Sequence, residues 1–292
     1  MAQWTGVEGK RVVITGATGG IGLAAAEALA ARGARLSIVA RNEERAGEAV
    51  RRIDAAGGGG VGVEVLLADL AEQSSVRRLA AELLERHPRI DALVNNAGAV
   101  NVTRRLTDDG VELTWAVNHL APFLLTNLLL ERIKASAPAR IATTASGAHN
   151  GAEIPFDDLA GERAYGRGFH RYSQTKLANI LFTLELARRL QGTGVSANCF
   201  HPGVVATGFA RNNGHLAKVA TAVARPFLRR PAKGAETLVW LVDSPELGDE
   251  TGGYFIDRRR RTPSAQAQDA DVARRLWQVS ESQVSASWPT SG

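Results

Sequence analysis

Tyr172 and Lys176 are two residues whose types and spacing could move a proton. They stand four positions apart in a stretch of helical composition, so both side chains point from one face of the helix. A phenol with a pKa of about 10 is a poor acid or base at neutral pH, but a neighbouring ammonium favours the phenolate and lowers that pKa. Such a pair could give a proton to a carbonyl oxygen or take one from an alcohol. Tyr-x-x-x-Lys alone is a common chance pattern, so this interpretation needs a second motif.

A glycine-rich turn near the N-terminus supplies that motif. Residues 15–22 read TGATGGIG and join a predicted strand at 11–15 to a predicted helix at 20–32. Such a turn brings backbone N–H groups and a helix N-terminus up to a pyrophosphate, and a side chain at Gly20 or Gly22 would block that approach. The turn therefore predicts dinucleotide binding. The residues of the turn expected to contact the cofactor are Gly16, Thr18, Gly19, Gly20, Ile21 and Gly22.

The end of the second predicted strand indicates which dinucleotide is bound. An acidic residue that binds the ribose 2′-hydroxyl is expected there, about 20 residues after the glycine turn. The strand instead ends in Ala40, Arg41 and Asn42. No carboxylate is present to repel a 2′-phosphate, and Arg41 could pair with one. The sequence therefore predicts NADP(H), with Arg41 and Asn42 as cofactor contacts. The alternative is that Arg41 only extends from the sheet edge into solvent.

Strand-like and helix-like segments alternate over the first two-thirds of the chain. The predicted strands cover 11–15, 35–39, 61–67, 91–94, 140–144 and 195–200. The predicted helices cover 20–32, 42–56, 72–87, 108–134 and 172–190, with Asn42 as an N-cap. This alternation predicts an α/β fold with a doubly wound parallel sheet of the Rossmann type, about seven strands, and helices on both faces. We expect one domain over 1–292, with a substrate lid at about 203–231 and a tail at about 258–292 that contains a helix-like piece.

Further motifs follow in order along the chain, and together with the glycine turn and the Tyr-Lys pair they resemble the short-chain dehydrogenase/reductase family over about residues 8–257. They read Ala68-Asp69-Leu70, Asn95-Asn96-Ala97-Gly98, Val117-Asn118-His119 and Pro202-Gly203. The resemblance implies cofactor contacts from Asp69, Leu70, Asn96, Ala97, Gly98, Tyr172, Lys176, Pro202, Gly203, Val205 and Thr207. Asp69 would lie beside the adenine, and the segment from Pro202 would flank the nicotinamide.

The same resemblance implies the catalytic roles. Ser146, in Thr143-Thr144-Ala145-Ser146-Gly147, would hydrogen-bond the substrate carbonyl, and Tyr172 would pass the proton. Lys176 would hold the ribose and tune Tyr172, and Asn118 would orient a water that relays protons. The 26 residues from Ser146 to Tyr172 are about twice the commonest family spacing. Retinol-dehydrogenase-like members share that spacing, and some bacterial relatives look like carbonyl reductases of aromatic polyketides.

Composition excludes several other classes. The net charge of +5 is modest, and aromatic residues make up only 5%, which argues against a nucleic-acid binder. A single cysteine, Cys199, permits no intrachain disulfide and no Cys-based zinc site, and it is expected to be a buried, inert thiol. His149 and His201 fall near the inferred site without metal-ligand spacing, so no metal is expected. The longest apolar run, 121–130, is too short to span a bilayer, which needs ~20 residues. We therefore expect no integral membrane segment and a cytoplasmic location.

The lid favours a bulky hydrophobic substrate, such as a retinoid, steroid or polyketide. Its apolar residues are Phe209, Leu216, Val219, Val223, Phe227 and Leu228. Contact with a membrane surface is a weaker alternative for this basic, amphipathic stretch. The helix from Tyr172 is apolar on several sides, which predicts either a homodimer or burial beneath the tail.

The sequence as a whole predicts an NADP(H)-dependent oxidoreductase that acts on a carbonyl or an alcohol, with carbonyl reduction favoured by the cellular NADPH/NADP ratio. Two alternatives are a non-catalytic NADP(H)-binding redox sensor, and an enoyl reductase or epimerase of the same fold. The complete set of Asn118, Ser146, Tyr172 and Lys176 argues against a sensor, because a sensor does not need an acid–base relay.

Overall fold

An eight-stranded sheet forms the centre of the protein, in the order β3-β2-β1-β4-β5-β6-β7-β8. The computed structural model describes residues 3–60, 62–163, 165, 168–205 and 229–285. Its strands are β1 (Arg11–Thr15), β2 (Arg35–Ala40), β3 (Glu64–Leu67), β4 (Ala92–Asn95), β5 (Ala139–Thr144), β6 (Val195–His201), β7 (Tyr254–Ile256) and β8 (Arg259–Arg261). The first seven strands are parallel, which confirms the predicted doubly wound sheet.

The eighth strand was not expected from the sequence. β8 pairs antiparallel with β7 across a tight turn at Asp257 and Arg258, whose φ angles are +51° and +61°. Two successive residues with positive φ are typical of a two-residue hairpin turn. All three side chains of β8 are exposed arginines, so the segment has no apolar alternation by which a strand is recognised.

Helices cover both faces of the sheet. They are α1 (Gly20–Ala30), α2 (Glu43–Ala56), α3 (Gln73–Arg86), α4 (Leu113–Trp115), α5 (Ala121–Ala135), α6 (Phe169–Arg189), α7 (Pro231–Asp243) and α8 (Ala270–Ser285). One apolar core joins α3, α5, α6 and α8 to the sheet, and a second joins α1, α2 and α7 to the opposite face. The chain order reverses between β1 and β4, which places a crevice at the carboxyl ends of these strands.

The predicted helix at 108–134 is wrong at its start and in its continuity. Residues 107–110 form a turn instead, and the helix begins at Leu113 after Glu112, whose carboxylate accepts the N–H groups of Thr114 and Trp115. A π-helical turn then separates α4 from α5 at Ala116–Leu120. Pro122 explains the interruption, because it has no N–H to give to the carbonyl four residues earlier.

Smaller differences occur at other element ends. α6 begins at Phe169, three residues before the predicted start. β3 begins at Glu64 rather than at 61, and residue 61 itself lies outside the described residues. Asn42 caps α2 as predicted, since its Oδ1 accepts the N–H of Arg45 at 2.9 Å. Cys199 is a free, buried thiol in β6, and burial raises its pKa to about 12.

The polar tail contains a full helix that covers α6. On α8, Trp277 stacks on Phe182 of α6, with ring centroids 5.8 Å apart, and meets Phe123 of α5 edge-on at 5.0 Å. The apolar surplus on α6 is therefore buried beneath the chain's own tail, the second of the two outcomes that the sequence left open.

One helical stretch, Leu113–Ala135, is long and apolar enough to cross a membrane by length and composition. Its 18-residue window is 67% buried inside the fold, where α5 packs against both the sheet and α3. This stretch therefore belongs to the core of the α/β fold. The predicted lid falls mostly on residues 206–228, and these lie outside the described residues together with Thr207 and the apolar lid side chains.

Candidate active site

The glycine turn wraps tightly on its inner side. Gly16 has a φ of +71°, and a Cβ there would lie 2.8 Å from Cα of Ala97. A Cβ on Gly22 would overlap the carbonyl oxygen of Gly16 and the side-chain amide of Asn96. The glycine at position 22 is thus required by closure of the turn itself, before any ligand is considered. This requirement differs from the sequence prediction, in which a ligand excluded the side chain.

The outer side of the same turn is open. Gly19 is exposed, and a Cβ built on it would meet no atom within 4 Å. α1 begins at the next residue, so its first N–H groups point toward this open side. A closed inner side and an open N-terminal side fit a dinucleotide whose phosphates lie against backbone N–H groups. Thr18 and Ile21 are half-buried along this turn.

Thr15 joins the glycine turn to the end of β4, and sequence reasoning missed it. Its Oγ1 donates to the carbonyl of Val94 at 3.2 Å and accepts the N–H groups of Asn96 and Ala97 at 3.0 and 3.1 Å. A threonine at the end of a buried strand, directly before a glycine turn, was the available signal. This hydroxyl sets the path of the Asn95-Asn96-Ala97-Gly98 segment relative to the turn.

Asn96 completes the connection through its side chain. Its Nδ2 donates to the carbonyls of Thr15 and Gly16 at 3.0 and 3.3 Å, and its Oδ1 accepts the Thr144 hydroxyl at 3.3 Å. The amide therefore holds the ends of β1, β4 and β5 together. Asn96 thus positions the crevice mainly by contacts within the protein.

Arg41 and Asp69 meet at the end of β2, where the adenosine part of a dinucleotide is expected. The Arg41 Nη1 lies 3.8 Å from Oδ2 of Asp69, and the Arg41 side chain is 70% exposed. Asp69 is held by its neighbours, because its Oδ1 accepts the N–H of Ala71 and its own N–H donates to Ser75. Leu70 is half-buried beside it. Arg41 is thus ion-paired with Asp69, but its guanidinium stays largely exposed and accessible to an anion.

Asn118 lies in the π-helical turn and is fully buried. Its Oδ1 accepts the N–H of Ala99 at 2.8 Å, while its Nδ2 donates to the Ala99 carbonyl at 2.9 Å and to the Thr175 hydroxyl at 3.1 Å. Thr175 directly precedes Lys176, so Asn118 ties the loop after β4 to α6. π-Helical turns of this kind are frequent at functional sites.

Lys176 is buried at the centre of the site. Its Nζ donates to the carbonyl of Thr144 at 3.0 Å. A Cβ on Gly98 would lie 3.5 Å from this Nζ and 3.3 Å from Oδ1 of Asn118, so the Gly98 backbone packs against both side chains. Burial lowers the pKa of Lys176 to about 8, because desolvation penalises the ammonium form.

Tyr172 lies beside Lys176 as the spacing predicts, and the Lys176 Nζ is 5.5 Å from the centroid of its ring. Burial raises the pKa of Tyr172 to about 12, and a hydrogen bond with Ser146 acts in the opposite direction. The sequence predicted that Lys176 would lower this pKa. That prediction is wrong for the protein without a ligand, because desolvation dominates and only the Ser146 hydrogen bond opposes it. The tyrosine is a protonated donor at neutral pH.

Ser146 is the second hydroxyl of the pair. It follows β5 and caps a short 3-10 turn, Gly147–His149, where its Oγ accepts the N–H of Ala148 at 3.2 Å. The same hydroxyl hydrogen-bonds Tyr172. The long spacing between the two residues does not separate them, because α6 brings Tyr172 back to the end of β5, where Ser146 lies.

The segment after β6 closes the far side of the crevice. Gly203 has a φ of +81°, and a Cβ there would press on the side chain of Arg229. Val205 bridges to Arg229 and packs over Gly234 at the start of α7. Pro202 is half-buried between β6 and this turn. Thr207, predicted as a further contact, lies outside the described residues.

Metal binding receives no support from the described part of the chain, where no group of three histidine, cysteine or acidic side chains could hold an ion. The site instead combines an open helix N-terminus with two hydrogen-bonded hydroxyls and a buried lysine.

Comparison with known proteins agrees with this geometry. Residues 10–216 match the family described as short chain dehydrogenase. The chain belongs to that family. This short-chain dehydrogenase is 43% identical to "Retinol dehydrogenase 14" of Mus musculus, over 95% of this chain and 86% of that protein. It is 42% identical to the "Putative daunorubicin C-13 ketoreductase DnrU" of Streptomyces sp. (strain C5), over 96% of this chain and 94% of that protein.

Solved structures show the same fold. An uncharacterised protein of Mycobacterium paratuberculosis superposes with a TM-score of 0.75 at 32% identity, covering 97% of this chain and 98% of that one. A short chain dehydrogenase of Burkholderia cenocepacia J2315, in complex with NADP, gives a TM-score of 0.68 at 27% identity, covering 90% and 99%. The predicted family, and the likeness to its retinol-dehydrogenase and ketoreductase members, are confirmed. This short-chain dehydrogenase is accordingly an oxidoreductase of a family that binds nicotinamide cofactors.

Proposed function

We propose that this short-chain dehydrogenase uses NADPH to reduce a ketone or aldehyde on a bulky hydrophobic substrate. The observation that carries the cofactor choice is the exposed guanidinium of Arg41 at the end of β2, where a carboxylate would exclude a 2′-phosphate. The neighbouring Asp69 is held at the side of Arg41 by its own backbone contacts. The complex of the Burkholderia relative with NADP supports the same choice. We propose a cytoplasmic location, where the NADPH/NADP ratio favours reduction.

Four residues of the chain would carry the reaction. Nicotinamide supplies the hydride when the cofactor is bound. A carbonyl oxygen between Ser146 and Tyr172 would accept a hydrogen bond from each hydroxyl, and Tyr172 would give it a proton as its negative charge develops. Lys176 stands next to Tyr172 with one N–H donated to the Thr144 carbonyl, so its charge stabilises the phenolate that forms. Asn118 holds the helix turn beside Lys176, where a relay water would return the proton.

The proposed substrate class rests on apolar surface beside these hydroxyls. Phe169 is 63% exposed, and its ring centroid lies 6.1 Å from that of Tyr172. Val102 and Val204 are also exposed apolar side chains, at 44% and 69%. The names of the relatives, a retinol dehydrogenase and a daunorubicin ketoreductase, both refer to large, largely apolar molecules. We therefore propose a retinoid-, steroid- or polyketide-like carbonyl compound.

The cofactor proposal is tested with Arg41→Ala. Loss of a charge-assisted contact with the 2′-phosphate should lower kcat/KM for NADPH about tenfold or more, with little change for NADH. Arg51→Ala, on the exposed side of α2, is the matched control and should change neither value. A wild-type enzyme that uses NADH as well as NADPH would contradict the proposal.

The reaction is tested with Tyr172→Phe in an assay of NADPH depletion over bulky ketones, aldehydes and quinones. Removal of the proton donor should lower kcat by about 100-fold or more, while the Kd for NADPH stays the same. Tyr254→Phe is the control, because the Tyr254 hydroxyl is buried without a hydrogen-bond partner among the described residues. Binding of NADPH without turnover of any carbonyl compound would favour the redox sensor instead.

A further inference from the structure

Two histidines flank the loop that carries Ser146, and neither belongs to the acid–base set. His149 ends the 3-10 turn that begins directly after Ser146, and it is 1% exposed. His201 is the last residue of β6, the strand that pairs with β5. Both imidazoles contact the backbone of the Ser146 loop.

His201 holds the residue after Ser146. Its Nδ1 accepts the backbone N–H of Gly147 at 3.0 Å. An imidazole nitrogen that accepts carries no proton, so the ring is neutral with its proton on Nε2. The ring also lies against the Gly147 backbone, since a Cβ there would be 3.2 Å from Nε2. The contact therefore depends both on a neutral imidazole and on a glycine at 147.

His149 holds Ser146 itself. Its Nδ1 lies 2.6 Å from the carbonyl oxygen of Ser146, and its Nε2 accepts the backbone N–H of Ser264 at 3.2 Å. Because Nε2 is the acceptor, Nδ1 carries the proton and donates it to the carbonyl. The ring is fixed further by an edge-on contact with Tyr254, at 5.2 Å between centroids. The segment after β8 thus supports the loop through this one side chain.

Burial keeps both imidazoles in this neutral state. Desolvation is the main cause that lowers the pKa of His149. Desolvation also lowers the pKa of His201, assisted by the charge of Arg229 and by His149, while Asp257 acts in the opposite direction. Both hydrogen bonds are therefore present at neutral pH.

We propose that His201 and His149 are positioning residues that hold the Ser146 hydroxyl in place by fixing the backbone on both sides of it. The Ser146 side chain can aim at Tyr172 only if the turn at 147–149 keeps its shape, because the same Oγ also accepts the N–H of Ala148. A misplaced donor at the reacting oxygen loses much of its effect. This inference rests on the proposed carbonyl chemistry.

The first test compares His201→Asn with His201→Leu. Asparagine and leucine have nearly the same shape, but only asparagine keeps an acceptor close to the position of Nδ1. The asparagine variant should retain kcat within about threefold, and the leucine variant should lose about tenfold, because the Gly147 N–H is left without its partner. KM for NADPH should not change in either. Since His201 is partly exposed, both variants are expected to fold.

His149 is tested in the same way. The Nδ2 of His149→Asn can still donate to the Ser146 carbonyl, although the link to Ser264 is lost, whereas His149→Leu loses both contacts. Retention of kcat in the asparagine variant and a loss of about tenfold in the leucine variant would support the proposal. If His149→Leu does not fold, the His201 pair carries the test alone.

The decisive measurement repeats the His201 pair in a Ser146→Ala background. If His201 acts through the serine hydroxyl, replacing His201 should have no further effect on kcat once that hydroxyl is removed. The tenfold difference in kcat between the two His201 variants should then disappear. An equal loss of kcat in both backgrounds would show a general structural role and overturn the proposal. An unchanged kcat in a folded His201→Leu protein would overturn it as well.

Hydrogen exchange of the Gly147 amide tests the positioning role of His201 independently of the proposed reaction. The amide should be protected in the wild type and in His201→Asn, and should exchange at least about tenfold faster in His201→Leu. This measurement needs no substrate, so it tests the His201–Gly147 hydrogen bond even if the reaction has been assigned wrongly. Equal exchange in all three proteins would contradict the hydrogen bond itself.

Discussion

At the level of single side chains, burial shifts the pKa of both Lys176 and Tyr172 toward the neutral form of each group. Burial lowers the pKa of Lys176 to about 8 and raises that of Tyr172 to about 12. In the protein alone, the pair therefore consists of a neutral phenol and an ammonium that is easily deprotonated. A proton donor must start protonated, so this state is the one that carbonyl reduction requires.

The lysine makes the stability of the protein depend on pH. Its folded pKa, about 8, is below the unfolded value of 10.5, so its contribution to stability is present above pH 10.5 and is lost as pH falls through 8. From pH 8 to pH 10 the free energy of unfolding of the wild type should rise by about 2 kcal/mol relative to Lys176→Met. Urea unfolding at both pH values measures this difference. Lys233→Met replaces an exposed lysine, so its free energy of unfolding should change with pH as that of the wild type does. The same pH dependence in Lys176→Met would contradict the lowered pKa of Lys176.

Thr15 and Thr143 give a matched pair of buried hydroxyls. The Thr15 hydroxyl makes three hydrogen bonds, whereas Oγ1 of Thr143 makes none among the described residues. Thr15→Val should cost about 2 kcal/mol and weaken NADPH binding, because the Ala97 N–H loses its acceptor and the Asn96 N–H keeps only the Val94 carbonyl. Thr143→Val should be neutral or stabilising. Thermal unfolding and a cofactor titration measure both variants, and equal Tm values for the two would contradict the assignment.

At the level of elements, the π-helical turn is the feature that composition concealed. The sequence predicts one continuous helix over 108–134, and only Pro122 signals the interruption that places Asn118. α8 supports the turn from behind, since Ser280 hydrogen-bonds Nε2 of His119 at 2.8 Å and Gln283 accepts the indole N–H of Trp115 at 3.0 Å. The position of Asn118 is therefore set by a proline and by a distant helix.

Pro122→Ala tests the role of the interruption. The new N–H could bond the carbonyl four residues earlier and let α5 extend toward α4, which would rotate Asn118 away from Thr175. We expect kcat to fall several-fold while Tm stays the same or rises. Pro231→Ala, at the start of α7, is the control because a proline in the first turn of a helix removes no helical hydrogen bond. An unchanged kcat would show that the turn survives without the proline.

The sequence predicts best those elements whose residues carry their own signal. The buried parallel strands are β-branched runs, and the glycine turn and the Tyr-Lys pair are local patterns, so their placement was predictable. Contacts that join distant segments leave no such pattern. Thr15 with Asn96, and His149 with Ser264, become neighbours only when the sheet and the tail assemble. The hairpin strand β8 was missed because pairing with β7, rather than apolar periodicity, makes it a strand.

At the level of the whole molecule, α8 covers an apolar face of α6. Its Trp277 fills the space between α5 and α6, and the guanidinium of Arg189 lies 4.0 Å from the Trp277 ring. Large apolar side chains on α6, such as Leu181 and Phe182, are thereby buried. The chain thus buries internally an apolar face of α6 that the sequence left open to either a second subunit or the tail.

Deletion of residues 270–292 tests this arrangement. Light scattering should show the full chain as a monomer, whereas the shortened chain should associate, because the apolar face of α6 becomes exposed. Trp277→Ala should show a milder effect, a loss of about 3 kcal/mol in the free energy of unfolding. Trp277→Phe is the control that keeps an aromatic ring at the site. A dimeric full-length protein would mean that another surface forms the interface.

β8 also affects association between copies of the protein in concentrated solution, because it is the edge strand of the sheet. A strand at the edge of a sheet has unpaired backbone N–H and C=O groups that can hydrogen-bond a strand of another molecule. Charged side chains along the edge strand oppose that pairing. β8 consists of three successive exposed arginines, so two copies of the protein that approached each other edge to edge through β8 would repel each other. Replacing them with threonine should leave folding intact and turn this edge into a site for fibril growth.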